Sequence, residues 1–293
     1  MKDFSDRLDL RAGDLTLRIG ARGGVILDFR RGGVALMRPA AEGAAPGDSA
    51  CFPLVPWGNR VRDNRFDHGG ATYHLTPNAP PEPLHLHGAG WQSVWTVESA
   101  GTSSARLCHH HDGRGLPHHY LARQVFELDP DRLRMTLSVT NTGDRALPFG
   151  LGWHPFFPAG GVLRAPATGI WTEGPDHLPA TRSPVRGDLD FAAPRPLPPR
   201  RINTAFDGWT GDARIDWPAQ DLSLTISADP VFRHYQLYQP AADSFFAFEP
   251  MSHLPGAMSL PDPGGLTPLA PGQTLAGTII LTPGAGAIAG DPS

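Results

Sequence analysis

The chain is predicted to be all-β, on three observations: apolar and polar residues alternate in short segments from end to end, glycine and proline punctuate those segments, and no helical period is sustained. Leu133, Met135, Leu137 and Val139 alternate with Arg134, Thr136, Ser138 and Thr140, the period of two that puts every apolar side chain on one face of a strand. Leu15, Leu17 and Ile19 repeat the pattern near the start, and Leu222, Leu224 and Ile226 repeat it near the end. The 34 glycines and 32 prolines among 293 residues lie between such segments, which favours many turns over long helices. Asn141-Thr142-Gly143-Asp144 reads as a turn that returns the chain into Ala146–Phe149 as an antiparallel neighbour. Pro184–Arg200, rich in Pro, Arg and Ala, reads as a long surface loop. No composition break divides the chain, so residues 1–293 are expected to form one domain, with a Gly/Ala/Pro tail disordered from about Pro283.

Composition narrows the function. Apolar residues make up 40% of the chain and charged residues 18%, enough hydrophobic side chain for a sizeable core and too little charge for disorder. A net charge of −4 leaves no general basic surface for a phosphate backbone, so nucleic acid is not an expected partner. The opening MKDFSDRLDLRAGDL has no apolar core of the secretory kind, and no stretch has the length of a membrane span. A cytoplasmic protein that avoids the membrane is expected. Cys51 and Cys108 stand apart, without metal-ligand or disulfide spacing, and read as small apolar residues.

Four segments could carry chemistry. In Asn59-Arg60-Val61-Arg62, Arg60 offers a planar fork for paired oxygens, or it is an ordinary surface arginine near a turn. In Leu84-His85-Leu86-His87-Gly88-Ala89-Gly90-Trp91, the two histidines would share one face of a strand, without a recognisable third metal ligand. His87 near Trp91 suits a sugar, whose C–H groups pack on an aromatic face while imidazole meets hydroxyls. In Gly150-Leu151-Gly152-Trp153-His154-Pro155-Phe156-Phe157, the following proline biases His154 to extended backbone, and imidazole exchanges protons near neutrality. A core histidine bonded to backbone is the alternative. In Ser244-Phe245-Phe246-Ala247-Phe248-Glu249-Pro250-Met251, Glu249 shares a strand face with Ala247 and Phe245, where an apolar setting raises a carboxyl pKa. A glutamate leaving a strand into water is the alternative. The histidines His109, His110, His111, His118 and His119 are read as a solvated loop or strand edge, because Gly113, Gly115 and Pro117 surround them. Phosphate-loop, serine-hydrolase elbow and zinc-protease motifs are absent.

Together these segments resemble the aldose 1-epimerase (galactose mutarotase-like) family from Leu15 to Leu281. The resemblance rests on Asn59-Arg60-Val61 with Phe66, Gly70, Tyr73 and Leu75; on Leu86-His87-Gly88 with Trp95; on Trp153-His154-Pro155-Phe156-Phe157; and on Glu249-Pro250-Met251. Leu269-Ala270-Pro271-Gly272-Gln273-Thr274 is similar to the family's closing turn. It implies a large antiparallel β-sandwich with a sugar cleft on one sheet, and neither metal nor organic cofactor. It also implies Glu249 as the base at the anomeric hydroxyl and His154 as the acid at the ring oxygen, held on opposite sides of the hemiacetal, with Arg60 and His87 binding the substrate.

One departure stands out. The family's substrate-binding Asp before Phe-x-Gly-Trp is replaced by Asn203 in Ile202-Asn203-Thr204-Ala205-Phe206-Asp207-Gly208-Trp209, with Asp207 four residues on. Asn203 and Asp207 are both candidates for that contact. The family's second glycine is Ala89 here, and His85 beside it is a candidate for an added contact. The small-molecule partner is thus a sugar, either a neutral aldose or an anionic one suggested by Arg60, Arg62 and Arg65; a non-catalytic sugar-binding module is the third reading.

Overall fold

The computed structural model describes residues 7–241, 244–260 and 264–286. Among them lie two large sheets in which every recorded strand pairing is antiparallel. The first runs in the order Arg7–Ala12, Leu15–Gly20, Val25–Arg31, Cys51–Leu54, Gly152–Pro158, Phe245–Met251, His234–Gln239, Ile202–Asp207, Gly169–Glu173 and Pro179–Pro184, with Val34–Ala35 paired to Val25–Arg31. The second runs Arg195–Pro196, Val162–Arg164, Asp212–Trp217, Leu222–Ala228, Thr274–Ala285, Leu133–Asn141, His119–Leu128, Ser104–Asp112 and Thr96–Ala100. No described helix is long and apolar enough to cross a membrane.

Alternation assigns the faces. Leu133, Met135, Leu137 and Val139 all point into the space between the sheets, where they meet Trp153, Phe157, Phe246, Phe248, Tyr235 and Leu237 from the first sheet. Burying a Phe or Leu here contributes about 1.5–3 kcal/mol each, so this layer holds the sheets face to face. The first sheet is also apolar on part of its other face: Val25, Phe52, Leu54, Trp91, Phe156, Ala247 and Met251 form a second cluster. A sheet buried on both sides reads as nearly continuous hydrophobic sequence, which explains Phe245–Met251 and Gly152–Pro158.

One close approach ties the layers. Gly24 has φ +60°, and a Cβ there would lie 2.2 Å from Gln124 Nε2, the group that donates to the Gly24 carbonyl at 2.9 Å. Only glycine combines that backbone with that space.

Three local expectations are corrected. Leu147–Phe149 does not return along Leu133–Asn141 but pairs with Thr267–Leu269, because Asn141 gives its backbone groups to Gln273 and Gly272 and its side chain to Leu269. Pro283–Ala285 belong to the last strand, registered against Leu222–Leu224; residues 287–293 lie outside the described residues. His109–His111 sit in the regular strand Ser104–Asp112, where His109 and His111 continue the inward series of Ala105 and Leu107. His118 is fully buried and bonds the Pro148 carbonyl at 2.9 Å. Pro184–Arg200 is largely irregular, with a single turn at Gly187–Leu189 and a two-residue strand at Arg195–Pro196.

Burial holds His109, His118 and the equally enclosed His253 neutral. Desolvation pushes His118 down to about 3, with the Pro148 carbonyl opposing, and His109 and His253 down to about 4. Between pH 6.5 and 4 the unfolded chain therefore binds protons that the folded chain does not, so stability is full above pH 6.5 and falls as pH drops, by about 1.4 kcal/mol per pH unit per histidine. Urea midpoints should decline from pH 7 to pH 4.5, and His118→Gln should flatten the decline; a midpoint independent of pH would contradict the account.

Candidate active site

Neighbouring strands of the first sheet bring His154 and Glu249 together. The ladder between Gly152–Pro158 and Phe245–Met251 registers Gly152 with Met251 and Phe156 with Ala247, and it skips the positions between. Those positions hold Pro155 and Pro250, neither of which has an N–H to give a ladder. His154 and Glu249 occupy this opening on the face away from the inter-sheet core. His154 Nε2 lies 3.2 Å from Glu249 Oε1, with both side chains buried. The pair is thus side by side on adjacent strands rather than on opposite sides of a cleft. That suits a hemiacetal, whose ring and hydroxyl oxygens share one carbon.

Aromatic faces enclose the pair. Phe52 stacks on the His154 ring with centroids 4.4 Å apart, Phe156 lies at 4.5 Å, and the edge of His87 at 5.4 Å. Loss of water raises the Glu249 carboxyl to about 8, with Arg60 opposing, and lowers His154 to about 3, with Arg38 adding to the fall. Both shifts favour the neutral forms, as removal of water from two ionisable groups requires. Glu249 Oε2 and His154 Nδ1 have no hydrogen-bond partner among the described residues.

Above the pair opens a cleft of about 340 Å³ whose lining includes Phe52, Asn59, Arg60, His87, Trp91, Phe156, His177, Arg201, Asn203 and Tyr238, a volume that accommodates a small ligand. Arg60 and His87 sit at one wall. His87 has φ 59° and exchanges bonds with Asn59: its N–H donates to the Asn59 carbonyl, and its Nδ1 accepts from the Asn59 N–H, both at 2.9 Å. This fixes the ring so that Nε2 is the nitrogen left for a ligand. Arg60 donates to Glu82 through Nε at 3.0 Å and Nη2 at 2.7 Å. His85 turns away, bonds the Thr76 carbonyl at 2.7 Å and packs on Trp57, so it adds no contact to the cleft. The described residues contain no group of three or more His, Cys, Asp or Glu arranged to hold a metal.

Asn203 and Asp207 project from the same face of Ile202–Asp207 but meet different surroundings. Asn203 lines the cleft. Asp207 does not: it takes both Nε and Nη2 of Arg182 at 2.7 Å and the Trp171 indole N–H at 2.6 Å, which locks the two outermost strands to their neighbour. Of the two candidates Asn203 lines the cleft, whereas Asp207 is engaged in an ion pair with Arg182 outside that lining. Sequence reasoning missed Tyr238, His177 and Arg201. Tyr238 alternates with Leu237 and Gln239 in a strand and was legible as an outward aromatic, whereas His177 and Arg201 flank irregular segments and carry no local signal.

The raised carboxyl has a cost that can be measured. Between pH 4.5 and about 8 folded Glu249 retains a proton that the unfolded chain has lost, so stability from this group falls as pH rises through that window. Glu249→Gln, which cannot titrate, should gain thermal stability relative to the unmutated protein from pH 5 to pH 8; an unchanged difference across that range would refute the raised pKa.

Comparison with known proteins places this geometry in context. The family model for aldose 1-epimerase matches residues 6–282. The uncharacterized protein YphB of Escherichia coli (strain K12) is 40% identical over 275 residues, spanning 90% of this chain and 94% of its own length. A solved structure from Escherichia coli K12 is 37% identical, with a TM-score of 0.92 over 95% of this chain and 99% of the other. A galactose mutarotase-like protein from Clostridium acetobutylicum, 16% identical, superposes with a TM-score of 0.86 over 95% of each chain, a likeness of fold. By the extent of these matches, the chain belongs to the aldose 1-epimerase family.

Proposed function

We propose that the protein interconverts the α and β anomers of a neutral aldose by acid–base ring opening and closure. The observation that carries this reading is the buried His154–Glu249 contact of 3.2 Å on the floor of an aromatic cleft. Family membership supports an epimerase-type enzyme. In the reactive form the carboxyl proton has passed to the imidazole across that contact, which leaves Glu249 a base and His154 an acid. Glu249 then takes the proton of the anomeric hydroxyl while His154 delivers one to the ring oxygen, and the C1–O5 bond breaks. The aldehyde turns about C1–C2, and the reverse transfers close the other anomer. Each group contributes roughly 10² to 10⁴ in rate. Arg60 and His87 orient the sugar and stabilise charge on the ring oxygen, Asn203 meets hydroxyls away from C1, and Trp91 and Phe156 offer faces to C–H groups.

The charge balance of the cleft favours a neutral sugar over a phosphorylated or sulfonated one. Of the arginines that line the cleft, Arg60 is paired with Glu82 and Arg201 with Glu173, so an anion would have to displace a carboxylate from either; Arg62 and Arg65, outside the lining, pair with Asp176 and Asp67, and Arg38 lies over the Phe156 ring and donates to the Ser49 carbonyl. The pair itself argues against a pure binding module, because burying an ionisable carboxyl away from water is destabilising and binding does not require it.

Exchange between anomers at equilibrium, followed by NMR over neutral and charged sugars, tests the proposal. Neutral aldoses should exchange faster than in buffer. Glu249→Gln and His154→Asn should each lower kcat by on the order of 10² or more. Unaltered rates in both variants would sink the assignment; sugar binding without acceleration would favour the module; acceleration of anionic sugars alone would reverse the charge argument.

A further inference from the structure

The far wall of the cleft is organised by a residue that does not line it. Glu173, at the end of Gly169–Glu173, receives three of the lining side chains. Asn203 Nδ2 donates to its Oε1 at 2.6 Å, His177 Nδ1 lies 2.5 Å from the same oxygen, and Arg201 donates through Nη1 at 2.6 Å and Nη2 at 3.0 Å. Asn203 Oδ1 in turn accepts from Gln236 Nε2 at 2.6 Å. The amide is therefore held from both sides and has one defined orientation, with a single N–H and a single lone pair left for a ligand. Gln236 is the cross-strand neighbour of Glu249, so the network ends beside the proton-transfer pair. The segment after Glu173 is anchored at its other end by the Arg62–Asp176 ion pair, which ties the wall to the Arg60 side. Two strand spacings, about 10 Å, separate the Glu249 and Asn203 strands, room for a pyranose whose C1 lies over the pair and whose distal hydroxyls reach Asn203.

Given the proposed anomer exchange, we infer that Glu173 is a positioning residue that sets the hydroxyl pattern this cleft accepts, by fixing the Asn203 amide together with Arg201 and His177. A hydroxyl both donates and accepts, so an oriented amide with one free donor and one free acceptor recognises a hydroxyl at one position and discriminates against its epimer. Without the carboxylate, Asn203 can rotate and present the reverse polarity.

The test uses the full chain, anomer exchange of aldohexoses epimeric away from C1, and the variants Glu173→Gln, Asn203→Asp and the double replacement. Glu173→Gln should raise KM for the preferred sugar on the order of tenfold, with kcat within about twofold, and narrow the preference between epimers. Asn203→Asp, which sets two carboxylates together, should also raise KM. The double variant restores one carboxylate and one amide with their places exchanged, and it should recover KM to within about threefold of the unmutated protein. Unchanged KM and epimer preference in Glu173→Gln, a fall in thermal midpoint alone, or additive losses in the double variant would each overturn the role of Glu173. Absence of acceleration by the unmutated protein would instead overturn the reading of the cleft itself.

Discussion

Desolvation of Glu249 is the constraint on which the rest of the site depends. A carboxyl 2% exposed on an apolar sheet face can remain there in neutral form, or as an anion only beside a group that takes its proton. His154 is that group: the register that pairs Gly152 with Met251 and Phe156 with Ala247 sets it directly across from Glu249. Pro155 and Pro250, without N–H groups, flank the two residues where the ladder is interrupted. The cluster of Phe52, Phe156, Ala247 and Met251 then keeps water from levelling both pKa values towards their ordinary range.

The arginines that line the cleft obey the opposite rule: each has a carboxylate partner. Glu82 holds Arg60, and Glu173 holds Arg201. The cleft lining consequently offers hydrogen bonds in fixed directions. Fixed donors also lose less entropy on binding than mobile ones. The Asn59–His87 exchange at one wall and the Glu173–Asn203–Gln236 chain at the other are two instances of the same device.

The two-sided burial of the first sheet connects fold to chemistry. Phe246 and Phe248 point into the inter-sheet core, while Phe245, Ala247 and Glu249 point to the cleft, so one strand both anchors the sandwich and carries the carboxyl. A one-residue slip would exchange these faces and bury Glu249 between the sheets. The core packing that specifies register therefore also specifies the site.

Much of this was legible in the chain itself. The period-two alternation of Leu133–Thr140 and its counterparts determined the strands, because side chains on a strand must alternate whatever the strand packs against. The motifs around Arg60, His87, His154 and Glu249 determined the family resemblance. Pairing was not determined, since it depends on partners far along the chain. The turn at Asn141 looked like a hairpin until Gln273 and Gly272 claimed its backbone groups, and His109 and His111 looked solvated until the strand turned them inward. Asn203 and Asp207 were equivalent by sequence, sharing a face at a spacing of four. Only the tertiary structure separated them, by bringing Arg182 and Trp171 to one and Glu173 and Gln236 to the other: a side chain's role is set by what packs against it, and those neighbours come from distant strands.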